Sequence, residues 1–183
     1  MITALRAWGL GRVALTACLA VALIETAATD QFAVPTIPDR LNGWALIPAL
    51  VAFTLAEPLI DRSPQLTAHA TRSPVLIAVT RLGLAATGTA LVCGYCLLSP
   101  DGEIVARWVA AGVAVGALAV AMLGPWYWVP LLPGSFAWLQ HAAGAFPRPT
   151  YAMPGTVLVG VIACTCVAYV GATLVRDAIQ RRR

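Results

Sequence analysis

The chain carries no charged residue between Arg148 and Arg176. A helix needs roughly 20 apolar residues to cross a hydrocarbon core about 30 Å thick, and the run from Met153 to Val175 meets that length. In lipid, every backbone N–H and C=O must be satisfied inside the protein, so an apolar run of this kind is read as helix. Five further runs read the same way. The expected spans are about 13–29, 43–60, 74–98, 104–124, 126–142 and 153–175. The fifth is short and contains Pro130 and Pro133, so it is expected to be a proline-broken span or a paired half-helix. All connections are short. Residues 1–183 are therefore expected to form one transmembrane domain, an all-α six-span helical bundle.

Composition agrees with that reading. The chain is 60% hydrophobic and 11% charged, with a mean hydropathy of +0.80. A soluble domain averages about 25% charged residues, far more than this chain can place on a surface. All 12 basic residues are arginine. Without lysine, no phosphate-binding loop of the G-x-x-x-x-G-K-[ST] type exists here. If ATP is used, another chain must hydrolyse it. The arginine-only, alanine-rich usage has the codon bias of a GC-rich genome, actinobacterial in kind. The net charge of +4 sits at span ends rather than in a patch, so it points to lipid and not to nucleic acid.

Those arginines set the expected topology. Arg6 and Arg12 precede span one, Arg62 and Arg72 lie between spans two and three, and Arg176 with Arg181–Arg183 follows span six. Six spans put all three groups on one side, which the positive-inside rule assigns to the cytoplasm. Both termini are then cytoplasmic, in a bacterial plasma membrane. Trp8, Trp44, Trp108, Trp126 and Trp128 fall near span ends, where indole rings anchor at headgroups. The first run resembles a signal peptide in outline, and Leu15–Cys18 resembles a lipoprotein processing box. Its apolar part before Cys18 is too short for that role, so an uncleaved first helix is expected.

Cys93 and Cys96 form a Cys-x-x-Cys, the spacing of thiol–disulfide chemistry or half a zinc site. Reactive pairs usually occupy a helix N-terminus, whose dipole stabilises a thiolate. This pair is expected at a C-terminal end, in apolar surroundings. No histidine joins it, since His69 and His141 lie elsewhere, so no metal site is expected. Cysteine also serves as a small apolar residue, and a structural role is preferred, with a redox pair as the alternative.

Three ionisable residues fall at membrane depth, where charges usually face protein or water. Glu57 ends span two and Arg81 lies about two turns into span three, so an ion pair between them is expected. Glu25 is near the outer end of span one and is expected to reach the interface. Gly112 and Gly116 make a small-x-x-x-small helix contact, internal or between subunits, and Gly83 and Gly88 are expected to act similarly. The loop from Asp61 to Pro74 is the longest polar stretch on the cytoplasmic side. Ser63 followed by Pro64 is a helix-start signal there.

The loop ending in Arg72-Ser73-Pro74, with Arg81 one helical face later, resembles small actinobacterial membrane proteins that accompany ABC-transporter ATPases. Gly124-Pro125-Trp126, followed by the proline-bearing fifth span and Pro149-Thr150-Tyr151-Ala152-Met153-Pro154, is similar too. The resemblance implies an exporter-type permease subunit with no ATP site of its own. ATP and Mg would sit on a partner ABC ATPase, and a second membrane chain or a second copy would complete the pore. It also implies that the 61–73 loop docks the ATPase, through residues such as Asp61, Arg62, Gln65, His69 and Arg72. The alternatives are a structural or assembly subunit of another membrane complex, and a membrane thiol–disulfide enzyme using Cys93 and Cys96.

Overall fold

The apolar runs become six α-helices in the computed structural model, which describes residues 10–27, 30–37, 40–60, 73–98, 102–143 and 154–180. They are α1 (Leu10–Ala27), α2 (Leu46–Ala56), α3 (Pro74–Cys96), α4 (Gly102–Leu123), α5 (Trp128–Ala142) and α6 (Gly155–Gln180). Three helical stretches are long and apolar enough to cross a membrane: Pro74–Cys96, Gly102–Trp126 and Gly155–Ile179. Val13–Thr26 and Gly43–Leu59 are shorter apolar helices. The latter is α2 extended by single 3-10 turns at Gly43–Ala45 and Glu57–Leu59.

Long-range bonds show how the helices alternate in direction. The Trp138 indole Nε1–H, late in α5, donates to Ala45 O at the start of α2, at 2.7 Å. The same ring stacks on Trp108 of α4 at 4.6 Å between centroids. Tyr169 Oη–H, near the middle of α6, donates to Leu59 O after α2, at 2.6 Å, and Arg176, nearer the end of α6, donates to Ala121 O near the end of α4, at 2.8 Å. The start of α2, the start of α4 and the end of α5 therefore share one end of the molecule. The ends of α2, α4 and α6 share the other.

A short hairpin marks the first of these ends. Gln31–Phe32 (β1) pairs antiparallel with Leu41–Asn42 (β2), with Gln31 opposite Asn42 and Phe32 opposite Leu41. Ile37, Leu41 and Ala45 are buried beneath it against Leu139 and Ala143. Apolar periodicity at the scale of a span gives no sign of two-residue strands, and this hairpin was not expected.

Helix α4 is the axis of the bundle. In its apolar window 56% of residues are buried, against 22% in α3 and 11% in α6. Its small residues explain how α2 comes so close. A Cβ placed on Gly116 would stand 3.2 Å from Ala52 O and 3.3 Å from Ala56 Cβ, and one on Gly112 would stand 3.3 Å from Ala52 Cβ. Without a hydrophobic driving force between helices in lipid, such close packing is what holds them together. Gly112 and Gly116 thus pack inside this chain. Gly88 does the same on α3, where a Cβ would lie 2.9 Å from Val13 and 3.0 Å from Leu55. At Gly83, by contrast, a Cβ would meet nothing within 4 Å.

Two expectations about helix limits change. The fifth run is one unbroken helix with Pro133 inside it. Pro130 is the third residue of α5, where the backbone N–H has no intrahelical partner to lose, and Pro133 forgoes only the bond to the first turn. The sixth run continues past Val175 to Gln180, carrying Arg176 and Asp177 on the helix rather than beyond it.

Candidate functional site

Threonine hydroxyls within the bundle bond back to the preceding turn, as in Thr54 to Leu50 O at 2.7 Å and Thr89 to Ala85 O at 2.8 Å. That satisfies them without a partner helix. No buried side-chain N or O atom among the described residues lacks a hydrogen-bond partner. Polar chemistry is therefore concentrated where the helices end.

At the end opposite the hairpin, α2, α3, α4 and α6 splay around a cavity of about 380 Å³. Its polar lining comes from Arg81, Tyr169, Thr173, Arg176 and Asp177. Each polar residue is there for a local reason. Helix α4 ends at Leu123 because Gly124 adopts φ +59°, a left-handed backbone that an L side chain rarely takes. The carbonyls of the last turn are then left without helical partners. Arg176 answers them: its Nη2 donates to Ala121 O at 2.8 Å and Val120 O at 3.4 Å. A cation there also opposes the negative end of the helix dipole. Tyr169 is 1% exposed and its hydroxyl closes the α2 end through Leu59 O.

The sequence-predicted residues distribute as follows. Arg81 is half-buried and lines this cavity. Glu57 is half-buried and opens the 3-10 turn that packs on α3. The two thus occupy neighbouring elements at one end, and neither is isolated from polar or electrostatic contact. Asp61, Arg62, Gln65, His69 and Arg72 lie outside the described residues. The segment that carries them leaves from Ile60 and returns near Pro74, and both of those residues line the cavity.

Cys93 and Cys96 sit toward the hairpin end. Cys96 is 0% exposed and belongs to the core formed with Ile24, Val92 and Ala106. Cys93 Sγ donates to Ala106 O at 3.3 Å. Cys18, Cys164 and Cys166 are likewise free thiols. Glu25 accepts a hydrogen bond from the hydroxyl of Tyr95, the residue before Cys96, tying α1 to α3. Among the described residues no group of three His, Cys, Asp or Glu side chains gathers to hold a metal.

A second cavity, of about 470 Å³, lies between α3, α4 and α6 nearer mid-depth. Its lining is apolar or small, including Gly83, Ala86, Ala114 and Ile162, with Thr89 and Thr165 as its hydroxyls. Arg176 and Tyr169 were absent from the sequence reading as site residues. Arg176 stood there only as a topology charge, because nothing local reveals that it reaches back to another helix. Compared with protein-family models, curated proteins and solved structures, the chain matches none.

Proposed function

We propose that this chain is a six-span subunit of a bacterial plasma-membrane transport assembly, the permease partner of an ABC exporter ATPase. The end bearing Arg81 and Arg176 faces the cytoplasm in this reading, with both chain termini on that side. The observation that supports it is the position of Ile60 and Pro74, the described residues that flank the arginine-bearing 61–72 stretch of sequence. Both line a polar cavity bounded by α2, α3, α4 and α6. A partner pushing on that segment would act directly on the two helices it joins in sequence, α2 and α3. The chain has no lysine and so no phosphate-binding loop of the lysine type; in this reading ATP and Mg sit on the partner.

An assembly subunit of another membrane complex is the second reading. It is favoured by the mid-depth cavity, whose lining contains no ionisable side chain other than the Cys166 thiol and offers polar cargo no path. Thiol–disulfide exchange draws no support from a fully buried Cys96. The test is to tag the chain, extract it gently from its native membrane and identify what copurifies. An ABC ATPase in stoichiometric amount is expected, and its loss in Arg62→Ala and Arg72→Ala variants. Recovery alone, or with an unrelated membrane complex, contradicts the exporter reading.

A further inference from the structure

The two cavities adjoin: Leu59 lines both, and the same faces of α4 and α6 supply both. On α4, Val120 and Ala121 line the polar cavity, and Ala110, Ala114 and Ala117 line the apolar one. These positions are three, four and seven residues apart, which places them in one stripe. On α6, Tyr169, Thr173 and Arg176 continue in the same spacing from Ile162, Thr165 and Cys166. One furrow therefore runs from a polar head at the helix ends into an apolar tail.

We infer that this furrow binds one anionic phospholipid, its phosphate at Arg81 and Arg176 and one acyl chain along α3, α4 and α6. Charge favours it: the polar head has two guanidinium groups and one carboxylate, Asp177. A guanidinium has five N–H donors, and Arg176 uses only Nη2 on the α4 carbonyls. Length favours it too. Beyond Arg81 the tail is lined on α3 from Leu82 to Ala90, about 12 Å at 1.5 Å per residue, which fits within the roughly 15 Å of one leaflet's hydrocarbon. Basic pockets between membrane helices on the cytoplasmic side are suited to anionic headgroups. The inference rests on the proposed membrane orientation only for which leaflet supplies the lipid.

Native mass spectrometry of the full chain in detergent tests it, with dioleoyl phosphatidylglycerol, dioleoyl phosphatidylcholine and inorganic phosphate as probes. One saturable phosphatidylglycerol adduct is expected, retained more tightly than phosphatidylcholine and not displaced by millimolar phosphate. Arg81→Gln should weaken it roughly fivefold. Gly83→Leu should abolish it by filling the tail, and the open space around Gly83 lets this variant fold even if the arginine variant does not. Equal retention of the two lipids overturns the proposal. So does displacement by phosphate with Gly83→Leu unaffected, which would mark a free-anion site. A dimer lost in Gly83→Leu with no lipid bound would make the furrow a contact between copies and overturn it as well. Lipid binding is read here without any ATPase, so its failure is separate from failure of the copurification.

Discussion

Single residues carry the tightest constraints, and glycine carries the tightest of all. Gly116 faces a backbone carbonyl that cannot retreat like a side chain, so Gly116→Val should destabilise the bundle by about 1–3 kcal/mol. Gly83→Ala should be neutral or stabilise by up to about 1 kcal/mol, since it gains helix propensity and meets nothing. Titration with a denaturing detergent checks both; equal behaviour of the two variants would contradict the packing described. Tyr169→Phe removes the hydroxyl that reaches Leu59 O and should cost about 0.6–1.7 kcal/mol, the range of hydrogen bonds between membrane helices. No loss in the same titration would mean that this bond is matched in the unfolded state. Gly112 and Gly116 were legible in the sequence as a close-contact motif, because the spacing itself encodes the stripe. Tyr169 and Arg176 were not. Their partners lie on other helices, Leu59 being 110 positions away, and only packing brings them together.

At the scale of elements, hydropathy located the six helices because each must satisfy its own backbone in an apolar setting. It misread two of them, expecting α5 to be broken by its prolines and α6 to end at Val175. Prolines in α5 fall in its first turns, where they do little harm, so the helix continues to Ala142. Pro130→Ala should therefore change stability by less than about 0.5 kcal/mol, and a loss above about 2 kcal/mol would show that the ring itself is packed. The hairpin of β1 and β2 was illegible because two-residue strands have no periodicity to read. Helix faces can be mapped by thiol labelling. Cys18 and Cys164 are exposed and Cys96 is buried, so a lipid-soluble maleimide should modify the first two in the folded chain and Cys96 only after denaturation. Modification of Cys96 at the rate of Cys164 would remove α3 from the core as described.

The whole molecule has two unlike ends. One is closed by the hairpin, the Trp108–Trp138 stack and the Tyr95–Glu25 bond. The other is open and lined with arginine, and the 61–72 segment departs from it. In the proposed reading the arginine-lined end faces the cytoplasm, the side to which the positive-inside rule assigns the arginines. Single cysteines in an otherwise cysteine-free chain test it most directly, labelled by a membrane-impermeant maleimide in intact cells. Thr36→Cys, in the hairpin loop, should label at once, and Thr67→Cys, in the segment between α2 and α3, only after the membrane is permeabilised. Labelling of Thr67→Cys in intact cells, with Thr36→Cys protected, would invert the molecule and contradict the account.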